Sequence, residues 1–278
     1  MNRRHFLLAG LALAAVAAAP AAAIPFQPSR FSVEIRGRGP DVILIPGLTS
    51  GRDVWAGAVA SVPGYRYHLI QVAGFAGDSA RGNARGPVVA PLADEIARYI
   101  VERRLVRPAI VGHSMGGTLA MMIAARRPEL VGRLMVVDMY PQPASLFGGT
   151  GQGVSPLARS LGTLMESTGG RRLFTNLMAA FSPPDAIGGG SDPDVVARAV
   201  RDLSTMDLTG ELGRIRAPMT VVYAVPAPEA RATVDRQFAR AYAAAPRARL
   251  VRIDGSGHMV MQDQPARFRA ALAEFLRR

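Results

Sequence analysis

The sequence predicts an α/β fold in which a mostly parallel sheet is flanked by helices and carries an inserted helical cap. Short apolar runs rich in β-branched residues alternate with helical patterns, which is typical of parallel strands buried on both faces. One stretch of more than 70 residues lacks a strand pattern. The length of 278 residues, with 49% hydrophobic and 19% charged residues, suits one large core and excludes wholesale disorder.

Six buried strands are predicted from the apolar runs, because these runs lack the polar alternation of a half-exposed strand. They cover 41–46, 67–72, 108–112, 133–138, 219–223 and 249–253. Between them, apolar residues recur at three and four positions, which predicts helices. These helices cover 88–104, 115–127, 230–245 and 264–276.

The stretch without strands, residues 141–216, predicts a cap over the strand ends, since one crossover between parallel strands needs far fewer residues. The core domain is then predicted over 24–140 and 217–278. Helical patterns within the cap cover 157–165, 172–181 and 195–206. The cap also predicts an apolar acyl or aryl pocket from its large apolar residues. These are Leu146, Phe147, Leu164, Met165, Phe174, Leu177, Met178 and Phe181.

Residues 1–23 predict a signal peptide. Arg3 and Arg4 precede an apolar stretch that leads to three alanines at 21–23, a small-residue cleavage site. The paired arginines followed by Phe-Leu resemble a twin-arginine signal, the bacterial export route for folded proteins. We therefore expect a periplasmic or secreted protein without stable membrane insertion after cleavage. An uncleaved anchor is the alternative, although the apolar stretch is shorter than the roughly 20 residues that a spanning helix needs.

Charge and rare residue types exclude several functions. The formal net charge is +12, but all 33 cationic residues are arginines scattered along the chain, so no concentrated basic face and no nucleic-acid partner are predicted. Cysteine is absent, which excludes disulfides and thiolate chemistry. Only four histidines are present, which disfavours a multi-histidine metal site. No phosphate-binding loop occurs, and no cofactor or metal is predicted.

The segment Gly112-His-Ser-Met-Gly116 carries the strongest motif. It follows a predicted strand and precedes a predicted helix, which is the context that a G-x-S-x-G turn requires. Glycines at both ends are expected because side chains there would collide with the neighbouring strand and helix. The helix that begins at Met115 directs its amide end and positive dipole toward a developing oxyanion. Ser114 is the predicted nucleophile.

A serine hydroxyl needs a base, and the histidines offer few candidates. His5 leaves with the predicted signal, His113 is fixed beside the serine, and His68 lies in a predicted buried strand. His258 follows the last predicted strand and precedes the C-terminal helix, so it can reach across the strand ends to Ser114. It is the predicted base.

These residues resemble the α/β-hydrolase fold superfamily. The resemblance is carried by Gly-His-Ser-Met-Gly-Gly around Ser114, by Gly-Ser-Gly-His-Met-Val-Met-Gln-Asp-Gln-Pro around His258 and by Ile-Pro-Gly-Leu-Thr-Ser at 45–50, and it covers residues 31–278. It implies the α/β-hydrolase fold. It also implies an oxyanion hole formed by the backbone amides of Leu48 and Met115.

The third catalytic residue departs from the family pattern, which usually places an Asp shortly after the penultimate strand. No Asp occurs there, and Glu229 is the nearest carboxylate. Asp138, at the end of the strand after the nucleophile helix, occupies a position that some family members use. A carboxylate is needed to hold the imidazole tautomer. Asp138 is the first choice, Glu229 the alternative, and Asp235, Asp254 or the absence of an acid stays open.

The resemblance implies a serine hydrolase, a carboxylesterase, that cleaves esters of small or medium apolar substrates through an acyl-enzyme. A serine nucleophile argues against epoxide opening and halide displacement, because those reactions need a carboxylate. One alternative is another reaction on the same scaffold: carbon–carbon bond hydrolysis, lactone opening or cofactor-free perhydrolysis. Another is a non-catalytic binding protein. Fold alone does not decide between these functions.

Overall fold

A computed structural model describes residues 26–147, 167 and 190–278. Within these residues a seven-stranded sheet has the order β1-β3-β2-β4-β5-β6-β7. The strands are β1 (Phe31–Gly37), β2 (Asp41–Ile45), β3 (Arg66–Val72), β4 (Ala109–His113), β5 (Arg133–Val137), β6 (Met219–Val225) and β7 (Arg249–Asp254). β1 is antiparallel to β3 and the other neighbours are parallel, so the mostly parallel sheet is confirmed.

The edge strand β1 was not predicted. Its apolar residues Phe31, Val33 and Ile35 alternate with polar ones, and Ile35 is 55% exposed. Such alternation is typical of a strand with one face in solvent, whereas the six predicted strands are continuous apolar runs.

Helices cover both faces of the sheet. They are α1 (Ala56–Ser61), α2 (Val89–Glu102), α3 (Met115–Arg126), α4 (Pro193–Thr205), α5 (Arg231–Ala241), α6 (Val260–Asp263) and α7 (Pro265–Arg277). The predicted helices that correspond to α2, α3, α4, α5 and α7 are confirmed, with ends that differ by a few residues. The short helices α1 and α6 were not predicted.

Two apolar layers enclose the sheet. Helices α2 to α5 pack on one face, and α1, α6 and α7 pack on the other. Strand β2 contributes to both, because Ile43 and Ile45 face the first layer while Val42 and Leu44 face the second. The central strands are therefore buried on both faces. Because strands β2 to β7 are parallel, their carboxyl ends lie together along one side of the sheet.

The described residues of the predicted cap, 141–147, 167 and 190–216, form helices and loops and no strand. Helix α4 packs beside α2, and its Asp202 carboxylate accepts hydrogen bonds from the backbone amides of Val88 and Val89 at 2.7 and 3.0 Å. These bonds satisfy amides at the start of α2 that have no partner within that helix. The division into core and cap stays a prediction.

Several predictions lie outside the described residues. They are the signal peptide, the helices at 157–165 and 172–181, and the side chains predicted to line an apolar pocket. Among the helices that the structure does describe, none has an apolar stretch long enough to cross a bilayer.

Candidate active site

Ser114 occupies a strained turn between β4 and α3. Its backbone angles are φ 52° and ψ −125°, a conformation that residues other than glycine rarely adopt. Its amide donates to the Val137 carbonyl of β5 at 3.0 Å, and its carbonyl accepts from the amides of Gly117 and Thr118 at 2.7 and 3.2 Å. The turn is thus held by the neighbouring strand and by the first turn of α3, and the serine is only partly buried.

The flanking glycines allow this turn to form. A Cβ atom on Gly112 would overlap the backbone of Gly116 and lie 2.6 Å from the amide nitrogen of Gly117. A Cβ atom on Gly116 would overlap the carbonyl oxygen of Ile45 and lie 2.7 Å from that of Pro46. The helix start therefore packs directly against backbone on both sides, which is the collision that the sequence predicted.

His258 lies after β7 with one ring nitrogen bound to a carboxylate. Its Nδ1 is 2.7 Å from Oδ2 of Asp138, although the two residues are 120 positions apart. The His258 side chain is 40% exposed and that of Asp138 is 10% exposed. A carboxylate can only accept at neutral pH, so Nδ1 carries the proton and Nε2 is left as the basic nitrogen.

Residues 255–259, here called the base loop, connect β7 to α6 and are held at several points. The amide of Gly255 donates to the Val225 carbonyl at the end of β6 at 2.8 Å. The amide of Gly257 donates to the Asp263 carboxylate at 2.8 Å. His258 therefore lies in a loop that hydrogen bonds hold in place at the carboxyl ends of the strands.

Asp138 reaches His258 across the end of β6. Its backbone has φ 50°, and its amide donates to the Val222 carbonyl at 2.8 Å. Its Oδ1 accepts from the Ala224 amide at 2.9 Å, which leaves Oδ2 for the imidazole. Two hydrogen bonds on separate oxygens fix the carboxylate, and the bond to imidazole is charge-assisted because its acceptor is a carboxylate.

The alternative acids lie elsewhere. Glu229 is exposed in the 3₁₀ helix Pro228–Ala230. The Asp235 carboxylate accepts from the Tyr223 hydroxyl at 2.7 Å and pairs with Arg252, and that of Asp254 also pairs with Arg252, at 3.0 Å. The structure brings Asp138 to His258 and does not bring the other three candidates there.

Aromatic side chains that the sequence analysis missed pack beside Asp138. The rings of Tyr140 and Tyr223 both stack on the ring of Phe238, with centroid distances of 4.4 and 4.5 Å. Burial, with the charge of Asp138 as a further cause, raises the pKa of Tyr140 to about 12. The Tyr242 hydroxyl donates to the Met139 carbonyl at 2.6 Å. Neutral aromatic groups thus lie near Asp138, whose side chain is only 10% exposed. No motif marks them in the sequence.

The turn that carries Leu48 adjoins the serine. The Ser50 amide donates to the Gly47 carbonyl at 3.2 Å, and a Cβ on Gly47 would lie 3.1 Å from Cβ of Ser114. Met115 begins α3, where backbone amides have no partner inside the helix. The side chains of Leu48 and Met115 are apolar and buried, so only the backbone N–H groups of these residues can donate hydrogen bonds here.

Ser191 and Gln71 brace this turn and were not identified from the sequence. The Ser191 hydroxyl accepts from the Ala76 amide at 3.0 Å and donates to the Thr49 carbonyl at 3.3 Å. The Gln71 side chain accepts from the Arg52 amide at 3.0 Å. Isolated Ser and Gln residues carry no motif, and their role depends on segments that are distant in sequence.

The other two described histidines are buried. Burial, followed by the positive charge that His258 can carry, lowers the pKa of His113 to about 3, so His113 is neutral at pH 7. His68 lies in β3 with Nδ1 2.8 Å from the Tyr99 hydroxyl and Nε2 2.9 Å from Asp41, as expected for a core histidine. Within the described part of the chain, no group of three or more His, Asp or Glu side chains could hold a metal ion.

Known proteins resemble this chain in sequence and in fold. A model of the alpha/beta hydrolase family matches residues 42–271. A pimeloyl-acyl-carrier-protein methyl ester esterase from Nitrosomonas europaea is 25% identical over 259 residues, which cover 85% of this chain and 95% of the relative.

Two solved structures illustrate the similarity in fold. The enol-lactonase from Burkholderia xenovorans superposes with a TM-score of 0.71 at 17% identity, over 89% of this chain and 96% of that chain. A thermophilic esterase from Thermogutta terrifontis, bound to malate, superposes with a TM-score of 0.70 at 22% identity, over 89% and 93% of the two chains.

The close packing at Gly116 predicts a large difference between two Gly→Ala substitutions. We expect Gly116→Ala to lower the free energy of unfolding by about 1–3 kcal/mol, because backbone must move to admit the methyl group. Gly57→Ala, in helix α1 with open space around its Cβ position, should instead raise it by up to about 1 kcal/mol. Urea denaturation followed by circular dichroism measures both, and similar midpoints would contradict the packing argument.

The buried neutral His113 predicts a loss of stability in acid. The unfolded chain binds a proton at this residue below about pH 6.5, whereas the folded chain does so only near pH 3, so stability falls as the pH drops through that interval. His113→Gln should reduce the loss between pH 6.5 and 5 by roughly 1.5 kcal/mol. Fluorescence of Trp55, the single tryptophan, reports unfolding in urea. Equal pH slopes in the two proteins would contradict this account.

Proposed function

The chain belongs to the alpha/beta hydrolase family, and we propose that it is a carboxylic ester hydrolase that forms an acyl-enzyme on Ser114. The observation that carries the proposal is the hydrogen bond between His258 and Asp138 at the same sheet edge as the strained Ser114 turn. A nucleophile, a base and a group that orients the base are the parts that acyl transfer needs.

In the first step, Oγ of Ser114 attacks the ester carbonyl carbon while Nε2 of His258 accepts the hydroxyl proton. The carbonyl π electrons move to oxygen, and the backbone amides of Leu48 and Met115 are the proposed donors to that oxyanion. When the tetrahedral intermediate collapses, the carbon–oxygen bond to the alcohol breaks. The imidazolium returns its proton to the departing alkoxide.

In the second step, water attacks the acyl-enzyme carbonyl and His258 accepts a proton from it. A second tetrahedral intermediate forms and breaks its bond to Oγ, which regains the proton from the imidazolium. The carboxylic acid leaves and the free enzyme is restored. The net reaction consumes one ester and one water, and no external cofactor is required.

Asp138 is proposed to orient and stabilise the imidazolium. It accepts the Nδ1 proton of His258, so it keeps Nε2 unprotonated and basic in the neutral ring. Its second oxygen is occupied by the Ala224 amide, which prevents the carboxylate from rotating away. The Asp138 side chain is only 10% exposed, and this limited contact with water strengthens its interaction with the developing positive charge.

The proposed substrates are small or medium apolar esters, bound in the apolar pocket that the cap sequence predicts. The ester chemistry is supported by the relative from Nitrosomonas europaea, a methyl ester esterase. Lactone opening, carbon–carbon bond hydrolysis and perhydrolysis would use the same serine, histidine and oxyanion donors. A substrate screen distinguishes them, since p-nitrophenyl esters of increasing acyl length report ester hydrolysis directly.

The catalytic assignment predicts a specific pattern of variants. We expect a fluorophosphonate probe to label wild-type protein but not Ser114→Ala or His258→Ala. Asp138→Asn should lower kcat on the best p-nitrophenyl ester by on the order of 10³–10⁴, because the wrong imidazole tautomer is then favoured. Glu229→Gln is the matched control, since its carboxylate is exposed and does not contact His258, and it should stay within twofold of wild type.

Two outcomes would contradict the assignment. Near-wild-type turnover in folded Asp138→Asn would remove Asp138 from the mechanism. Failure of the folded wild type to react with the probe would favour a binding protein on a hydrolase scaffold.

We also propose export through the twin-arginine route, on the evidence of Arg3, Arg4 and the apolar stretch that follows them. Arg3→Lys combined with Arg4→Lys should retain the protein in the cytoplasm, because that route reads the arginine pair. Fractionation of a bacterial host, with a cytoplasmic marker as the control, measures this. Unchanged export of the double variant would exclude the twin-arginine route.

A further inference from the structure

We propose that His113 is a positioning residue: its imidazole joins the nucleophile turn to the base loop and holds His258 in register with Ser114. This inference rests on the proposed function and adds a residue to its machinery. His113 precedes the nucleophile directly in sequence, yet its side chain contacts a loop 145 positions away.

Two contacts with His258 carry the inference. The Nε2 atom of His113 lies 2.9 Å from the backbone carbonyl oxygen of His258. The two imidazole rings are also in contact, with centroids 4.7 Å apart and planes at 46°. His113 therefore fixes both the backbone of the base and one face of its ring.

The hydrogen bond determines the tautomer of His113. A carbonyl oxygen can only accept, so Nε2 must carry the proton. In the neutral ring Nδ1 then holds a lone pair, and this buried atom has no hydrogen-bond partner among the described residues. It faces Gly47, where a Cβ would lie 3.0 Å from Nδ1 and 3.1 Å from Cβ of Ser114. The ring thus fills the space between the turn that carries Leu48, the nucleophile turn and the base loop.

Neutrality of His113 suits this position. In the proposed reaction His258 becomes positively charged, and a second positive charge 4.7 Å away would oppose that step. Burial keeps the His113 ring uncharged, so it can donate a hydrogen bond to the base loop without repelling the imidazolium.

His68 shows what a core histidine without this role looks like. It is also buried, but its partners are Tyr99 of helix α2 and Asp41, the first residue of β2. His68 itself lies near the amino end of β3. It makes no contact with the catalytic candidates in the hydrogen bonds described for it. Loss of its partners would affect stability alone, so His68→Gln serves as a matched control for disturbing a buried histidine.

The test uses the full chain with two substitutions at His113. His113→Phe retains an aromatic ring and removes the donor, whereas His113→Gln retains a donor near the position of Nε2. We expect His113→Phe to lower kcat on the best p-nitrophenyl ester, and the rate of fluorophosphonate labelling, by about ten- to a hundredfold with little change in KM. His113→Gln should recover most of the loss, and His68→Gln should stay within twofold of wild type at a temperature where all variants are folded.

A measurement independent of activity accompanies the kinetics. With only four histidines in the chain, nitrogen-15 NMR of histidine-labelled protein can assign each ring from single variants. Wild-type His113 should show one neutral tautomer, protonated at Nε2, from pH 5 to 9. The strongly hydrogen-bonded Nδ1 proton of His258 should be visible in wild type and His113→Gln and should broaden in His113→Phe.

The outcomes separate this inference from the proposed function. If wild type is active and His113→Phe keeps wild-type kcat and the sharp His258 Nδ1 proton, the positioning role is wrong while the esterase proposal stands. If His113→Phe does not fold, either of two results overturns the role: a His113 ring that titrates near pH 6.5 in wild type, or a folded His113→Gln variant whose kcat is a hundredfold or more below that of wild type. If wild type reacts with neither probe nor ester, the proposed function fails first and the positioning role fails with it.

Discussion

The turn between β4 and α3 constrains everything else in the site. Gly112 and Gly116 approach backbone so closely that the chain must reverse within a few residues, and Ser114 takes up the strain with a positive φ. This reversal places Ser114 beyond the end of β4 while His113, the last residue of the strand, stays buried. The positions of both Ser114 and His113 therefore depend on this close packing of backbone against backbone.

The parallel strands then bring the remaining groups of the site to the same end of the sheet. Leu48, Ser114, Asp138 and the base loop all follow the carboxyl ends of strands, which lie along one edge because the strands run in the same direction. Asp138 and His258 follow β5 and β7, and β6 lies between them. Strand β6 supports the contact, because its Ala224 amide donates a hydrogen bond to the same carboxylate.

This arrangement brings a carboxylate to the His258 imidazole although no Asp directly follows β6. The segment after β6, where the family resemblance leads us to expect an Asp, here reads Pro226-Ala-Pro-Glu-Ala230. A carboxylate on the next strand reaches the same imidazole nitrogen at 2.7 Å and is held by strand backbone on two sides. The His258 imidazole needs a buried, fixed acceptor for its Nδ1 proton. A carboxylate after β5 can supply this acceptor as well as one after β6.

The sequence by itself determined the fold class, strands β2 to β7 and the turn around Ser114, because apolar runs and a glycine-bounded serine are local patterns in the chain. It did not reveal β1, whose alternating pattern belongs to a half-exposed edge strand. It favoured Asp138 but left Glu229, Asp235 and Asp254 open, because the choice depends on which carboxylate faces the imidazole of His258, which is 120 positions from Asp138. The contacts of His113, Ser191 and Gln71 were equally hidden. Only the tertiary structure decides such contacts, because hydrogen bonds between distant segments are set by how strands are ordered in the sheet and leave no periodic trace in the chain.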